Sequence, residues 1–265
     1  MRLIYSECRP DYATMTFGYG VYALAEEENP AAWDSAFAAG YSPHTMTPWV
    51  EGKTVFRLNR SVRIALRDWT ETSENRRLEG KVAPLSITAA LIPLEEFAFT
   101  EAFWRFCEHY SEQRWLTGRR FDRAHLERLI ATPVATHILT YTSDGQPIGY
   151  VLSCWTGVSF YHWFSFYDLR YYDDYSLGKW CMGHCIAWAA AAGGQYAYLG
   201  TCYGESARYK VRDFNAVEWY TGEGWSRDRE LLREACRQDT EGMPTERIKQ
   251  PAMAASLFHL SSSSS

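Results

Sequence analysis

The spacing of apolar positions changes along the chain, and each change marks an element. Around residue 30, "PAAWDSAFAAG" carries apolar residues at helical spacing and stops at Gly40, which predicts a helix. From Phe56 onward Phe56, Leu58, Val62, Ile64 and Leu66 alternate with polar residues, a period of two that predicts one strand. "TSENRRLEGK" then reads as a loop. After Pro93, "PLEEFAFTEAFWRFCEHYSEQRW" spaces Phe99, Phe103, Phe106, Cys107 and Tyr110 as one face of an amphipathic helix, and "FDRAHLERLIAT" predicts a second. "THILTYTSDGQPIGYVLSCW" predicts two strands joined at "SDGQ", and "VSFYHWFSFYDL" a third, heavily aromatic one. "SLGKWCMGHCIAWAAAAGG" is a helix with a Ser start and a Gly-Gly stop. "QYAYLGTCY" is a further strand. "YKVRDFNAVEWYTGEGW" mixes short strand and loop before a last helix, "RDRELLREACRQ".

The order helix, helix, hairpin, strand, helix, strand predicts an α+β fold. Its centre is a mostly antiparallel sheet flanked by helices, with a smaller N-terminal α/β region. That layout resembles the fold of GNAT-type N-acyltransferases. The expected division is an N-terminal region with a basic strand and loop over 1–92, an acyltransferase-like domain over 93–260, and a serine tail over 261–265.

Composition narrows the classes. The 265 residues are 46% hydrophobic and 22% charged, ordinary for a globular protein, with an enlarged aromatic share of 16%. A net charge of −5 argues against a general nucleic-acid coat, so any RNA contact has to come from a local patch. One stretch qualifies: Phe56 to Val82 holds seven Lys or Arg against four Asp or Glu, a local +3. Arg119 and Arg120 form a second, smaller candidate. No run of apolar residues approaches a membrane span, and the start lacks a signal-peptide pattern, so a cytoplasmic address without membrane contact is expected. Seven cysteines, an odd number, suit reduced thiols. "CMGHC" sets Cys181, His184 and Cys185 on one helix face, but zinc needs four ligands and no second cluster exists, so buried thiols are expected and no metal. Cys202 is read as structural for want of a nearby histidine.

Candidate chemistry concentrates in "FYDLRYYDDYSLGKW", Phe166 to Trp180. A strand delivers Tyr167 and Asp168 to its end, and Ser176 stands where the next helix begins. A helix start offers unpaired N–H groups and a positive dipole end, which suit an anion or a developing oxyanion. The plain alternative is a Ser cap with Asp173 and Asp174 offsetting the dipole.

The stretch from Phe164 to Trp219 resembles the C-terminal half of arginyl-tRNA–protein transferases and their bacterial leucyl-transferring relatives. Those families carry a Ser-Phe-Tyr-Asp-Pro strand end, a Ser-Leu-Gly helix start, a Tyr-Leu-Gly-Tyr segment and a Tyr-Lys before a Phe. The counterparts here are Ser165 to Asp168, Ser176 to Gly178, Tyr198 to Gly200 with Tyr203 nearby, and Tyr209-Lys210. Upstream, "VRIALRDWTETSENRR" is similar to the family's arginine-bearing strand, serine loop and paired arginine, which maps onto Arg63, Ser73, Arg76 and Arg77. "PDY" near residue 11 matches the family's opening. Three departures stand out. Only Cys8 remains of the family's N-terminal cysteine cluster, so metal is not expected there. Leu169 replaces the usual Pro, and "TCYGES" differs from the family's segment.

The resemblance implies an aminoacyl-tRNA-dependent aminoacyltransferase, arginyl-transferring first among the choices, with the charged tRNA as co-substrate and no other cofactor. The acceptor amine belongs to a protein, a peptide or a small molecule. Asp168 would accept a proton or orient an amine. Tyr167 and Tyr203 would hydrogen-bond or stack on the aminoacyl-adenosine. Ser176, Leu177 and Gly178 would present N–H groups, and Tyr209, Lys210, Arg63, Arg76 and Arg77 would meet the tRNA. Two other readings stay open: an acyl-CoA-dependent N-acyltransferase, and a catalytically silent relative that binds tRNA or protein.

Overall fold

The computed structural model describes residues 1–6, 21–45, 49–114 and 122–242. Cys8, the "PDY" segment, Arg119, Arg120 and the serine tail lie outside the described residues. The chain runs β1 (Arg2–Ser6), β2 (Val21–Leu24), α1 (Pro30–Ala38), β3 (Tyr41–Pro43), β4 (Val55–Leu58), β5 (Ser61–Ala65), α2 (Ser73–Val82), β6 (Thr88–Pro93), α3 (Glu101–Arg114) and α4 (Arg123–Ile130). It continues through β7 (His137–Ser143), β8 (Gln146–Trp155), β9 (Ser159–Tyr167), α5 (Leu177–Ala191), β10 (Tyr196–Thr201), α6 (Tyr209–Arg212), β11 (Val217–Tyr220), β12 (Trp225–Ser226) and α7 (Arg229–Gly242).

Two sheets form, in the orders β1-β2-β4-β3 and β12-β11-β5-β10-β9-β8-β7-β6. In the large sheet β9 and β10 are parallel and every other neighbouring pair is antiparallel. The mixed α/β architecture with a mostly antiparallel sheet is therefore the expected one. β5 and β6 sit in the same sheet as the later strands, so the division expected at 92/93 falls inside β6. The hairpin β7–β8 turns at Asp144 and Gly145, both at positive φ (50° and 73°), as a tight turn matched to strand twist requires. Among the described residues no helix is long and apolar enough to cross a membrane.

The single strand expected over Phe56 to Leu66 is two strands in two sheets. β4 ends at Leu58 in the small sheet, and β5 begins at Ser61 in the large one. The period of two hid the break because β5 is buried on both faces. Val62 and Ile64 join the core under the helices, while Arg63 points to the opposite side, among Tyr196, Tyr198 and Trp225. Between the strands stands Arg60, whose guanidinium holds both carboxylate oxygens of Asp239 at 2.9 Å, with both side chains fully buried. "TSENRRLEGK", expected as a loop, is α2. Its cap is reciprocal: Thr72 Oγ1 accepts from the Asn75 N–H, and Asn75 Oδ1 accepts from the Thr72 N–H. Tyr209 to Arg212, expected as strand or loop, is a single helical turn.

The principal core lies between the large sheet and α2, α3, α4 and α5, with Leu78, Phe103, Leu126, Leu177 and Ile186 meeting Ile138, Val151 and Phe160. A second core packs the other face against α1 and the small sheet through Phe37, Phe56, Tyr161 and Tyr198. Stranding a buried charge is more costly than removing a whole ion pair. Asp239→Ala is expected to destabilise the protein by about 3–5 kcal/mol, read from urea unfolding, and Arg60→Met with Asp239→Leu by clearly less.

Candidate functional site

The parallel pair β9–β10 is where the sheet opens. The two strands pair at Tyr196↔Ser159, Ala197↔Phe160 and Tyr198↔Tyr161, and there the ladder stops. β9 runs on from His162 to Tyr167, and β10 from Leu199 to Thr201, without a shared ladder. On its other side β9 slips register against β8 between Leu152 and Ser153, a bulge at Trp163. The result is a seam in mid-sheet, open at the C-terminal ends of two parallel strands, with α5 beginning beside it. Parallel strands gather their functional groups at that end, where helix starts and strand ends converge.

Tyr167 closes β9, and its ring lies under the first turn of α5. A Cβ on Gly178 would sit 2.4 to 2.8 Å from the Tyr167 ring carbons and Oη, so only glycine lets the helix approach this closely. Ser176 is not a side-chain cap. It adopts a left-handed conformation (φ 53°), its N–H donates to the Tyr172 carbonyl, and its own carbonyl accepts from the Lys179 and Trp180 N–H groups. Leu177 and Gly178 are left with N–H groups that have no acceptor among the described residues, as the first turn of a helix predicts.

Asp168 caps the turn after β9, accepting from the Arg170 N–H at 2.9 Å and pairing with the Arg170 guanidinium at 2.6 Å. Burial alone would raise its pKa. The hydrogen bonds and charge of Arg170, with His109 nearby, outweigh it and hold the carboxyl below its usual range. Asp168 is thus a fixed anion and a weak base, better suited to orienting a cationic amine than to removing its proton.

Around Tyr167 the fold assembles residues that the sequence did not single out. Tyr110 from α3 meets the Tyr167 ring edge-on at 4.9 Å, and Tyr172 stacks on it at 6.3 Å with 12° between planes. Arg114, the last residue of α3, lies 4.3 Å over the Tyr172 ring and donates to its hydroxyl at 2.8 Å, with no carboxylate partner among the described residues. Burial raises the pKa of Tyr110 and of Tyr209, and both also feel Tyr167, so they stay protonated donors. No local pattern in the sequence ties Arg114 to this site, because it arrives from a different helix.

Lys210 lies on the β10 side of the seam. Its Nζ donates to the Thr201 carbonyl at 2.8 Å, no carboxylate pairs with it among the described residues, and burial lowers its pKa. Tyr167, Asp168, Ser176 to Gly178, Tyr209 and Lys210 thus come together around the seam. Other expected residues stand elsewhere. The Tyr203 hydroxyl accepts from the Arg60 N–H at 2.7 Å and donates to Asn59 at 3.3 Å, bracing the junction of β4 and β5. Arg63 is held by Glu218 at 2.8 Å and sandwiched between Tyr196 and Trp225 at 3.8 and 3.9 Å, so it has no freedom to meet phosphate. Arg76 donates to the Glu71 carbonyl, and Arg77 pairs with Glu74. Of the cations in that stretch, Arg60 and Arg63 are thus spent inside the protein, and Arg77 is paired within its own helix. Cys202 and Cys236 face each other, sulfur to sulfur, at 3.7 Å in the interior, and Cys181 and Cys185 are buried against Tyr141.

A profile described as the acetyltransferase (GNAT) domain matches residues 72–211, more than half of the 265 residues. The chain belongs to the GNAT acetyltransferase family. The matched span of this GNAT chain runs from the cap of α2 to the turn that carries Lys210, and it contains the whole seam. No curated protein matches the chain. Among solved structures, L-PGS from Bacillus licheniformis is similar at 14% identity over 69% of this chain and 53% of that one, with a TM-score of 0.41. The C-terminal domain of a putative lysylphosphatidylglycerol synthetase from Agrobacterium fabrum is similar at 10% identity over 77% and 62%, and FemX at 7% over 69% and 63%, each with a TM-score of 0.41. The GNAT chain spans 53% to 63% of the length of these proteins, and likenesses so distant say nothing about its substrate.

Lys179, in the first turn of α5, is gripped by Glu74 at 3.1 Å and Asp213 at 2.7 Å, which fixes the helix start against α2 and α6. Glu74 has its pKa lowered to about 2, by Arg77 first, against burial, and then by Lys179. Its contribution is present above the unfolded value near 4.5 and is lost as pH falls toward about 2. The stability gap between wild type and Glu74→Gln is expected to be at most about 1 kcal/mol after solvent screening and to close over that window, as read by urea unfolding at stepped pH. Gly178→Ala is expected to cost about 1–3 kcal/mol by overpacking, and a Tyr167→Ala background should relieve most of that loss.

Proposed function

We propose that this GNAT chain is an aminoacyl-tRNA-dependent aminoacyltransferase. It joins the amino acid of a charged tRNA, arginyl first among the choices, to an acceptor amine of a protein, a peptide or a small molecule in the cytoplasm. One observation carries the reading. The residues that match the tRNA-dependent transferases, Tyr167-Asp168, Ser176 to Gly178 and Tyr209-Lys210, are distant in sequence and meet at one seam.

The chemistry asked of the site is modest. An α-amine titrates near 8 and the ester is already activated, so positioning and oxyanion stabilisation carry most of the rate. The amine lone pair attacks the ester carbonyl carbon, the new C–N bond forms, and the bond to the ribose oxygen breaks. The proton lost by nitrogen ends on that leaving oxygen. Asp168 orients the amine as a fixed anion, the Leu177 and Gly178 N–H groups face the developing oxyanion, and Lys210 supplies positive charge to the leaving oxygen. Tyr172, exposed and backed by the buried Tyr167, offers its ring to the terminal adenosine. Arg114 takes the phosphate role expected of Arg63, because it keeps N–H donors free of carboxylates.

The acyl-CoA reading has support of its own, since the family profile is that of an acetyltransferase domain. The deciding assay offers purified protein a pool of tRNA charged with labelled amino acids, or a panel of acyl-CoA donors, with peptides beginning in Asp, Glu, Lys or Arg as acceptors. An aminoacyl adduct by mass spectrometry that vanishes after ribonuclease treatment is the expected outcome. Acyl adducts from CoA donors alone would replace the proposal with the second reading, and tRNA binding without any adduct would leave a silent binder. Asp168→Asn keeps the turn cap and loses the charge. It is expected to lower kcat/KM by roughly ten- to hundredfold, the worth of a charged hydrogen bond.

A further inference from the structure

Beside the seam between β9 and β10 stands a buried polar atom that no described residue satisfies. His162 is 6% exposed, and its Nε2 has no hydrogen-bond partner among the described residues. Trp163, at the bulge beside it, leaves its Nε1 equally without a partner there. A buried nitrogen of this kind costs about 1–3 kcal/mol, and native structures keep few of them. Burial first, and then the nearby charge of Lys210, lower the imidazole pKa to about 4, so the ring is neutral at pH 7. In the neutral ring one nitrogen carries the proton and the other accepts; with Nδ1 protonated, Nε2 is the acceptor. Lys210 reaches the same level of the seam: its Nζ would lie 3.8 Å from a Cβ on Gly200, two residues beyond Tyr198, which pairs with Tyr161, the neighbour of His162. It spends one donor on the Thr201 carbonyl and has others to offer.

A ligand group placed between the two has to donate to an imidazole nitrogen and accept from an ammonium. A fully ionised anion, such as a carboxylate or a phosphodiester, has no proton to donate. A second ammonium donates but is repelled by Lys210. A hydroxyl does both. We propose that His162 and Lys210 bind a ribose hydroxyl of the acyl donor's terminal nucleoside, with His162 Nε2 as the acceptor. The inference rests on the aminoacyl-tRNA reading, in which a free hydroxyl stands on the ribose carbon next to the ester and reports which end of the donor enters the seam. No covalent step is assigned to His162.

The test uses the full-length protein and adenosine carrying an amide-linked amino acid at its 3′ position, in 2′-hydroxyl and 2′-deoxy forms. Calorimetry is expected to show the hydroxyl form binding wild type about tenfold more tightly, the worth of one hydrogen bond near 1.4 kcal/mol. His162→Phe, which keeps an aromatic ring, is expected to lose most of that preference. In wild type the hydroxyl form should also shift the Nε2 nitrogen resonance of His162 and the deoxy form should not, a measurement that needs no variant to fold. A preference unchanged in His162→Phe, an absent preference in wild type, or an unshifted resonance would overturn the inference. Ester-charged tRNA ending in a 2′-hydroxyl or a 2′-deoxy adenosine separates the failures. Transfer without any 2′ preference removes this inference alone, whereas no binding and no transfer from any charged tRNA removes the donor assignment and this inference together.

Discussion

The parallel pairing of β9 with β10, cut short after Tyr161 and Tyr198, is the constraint on which the rest of the molecule depends. A parallel pair needs a crossover, and α5 supplies it, so the helix start is delivered to the end of β9 by connectivity. Because the ladder stops early, the strand ends diverge and the sheet gains an interior edge. The protein fills that edge with aromatic rings on one side and with Lys210 on the other. The register slip against β8 adds to the divergence from the opposite flank. Everything proposed about chemistry lives in the gap these local facts create.

Charge is distributed to hold that gap rather than to advertise it. Arg60, Arg63 and Arg77 each answer a carboxylate, and Lys179 answers two. Among the described residues, the cations at the seam without a carboxylate partner are Arg114 and Lys210, one exposed and one enclosed. A molecule with net charge −5 can meet an anionic donor with so few cations only if they sit where burial and aromatic faces raise their effect. The site is thus built on placement and not on a field spread across the surface.

Much of this was legible in the sequence. The helices α1, α3, α4, α5 and α7 and the run from β7 to β10 follow from apolar periodicity, and the close contact of Tyr167 with Gly178 joins two of the motifs that carry the resemblance. Other parts were not. A period of two cannot report that Val62 and Arg63 face two different cores, so β4 and β5 merged into one strand. The polar run of α2 hid its cap, because the partner of Thr72 is Asn75 rather than the commoner Glu or Gln. The basic excess of that same stretch misled for a physical reason. Counting charges along a segment says nothing of carboxylates that arrive from residues 218 and 239. His162 and Arg114 were visible as letters, but what makes them notable is burial without a partner in one case and a tyrosine stack in the other.

The pairing of Arg60 with Asp239 has a consequence for how the chain comes to its native state. The two residues are 179 positions apart, so the junction that hands the chain from the small sheet to the large one waits for its counter-ion until α7 has been made. Closing so long a loop costs entropy that local contacts cannot return in advance. On the ribosome, the strands that frame the seam emerge while a guanidinium still stands uncompensated at their root. The sheet can therefore be assembled in outline before it can be locked, and the locking event comes from the far end of the described chain.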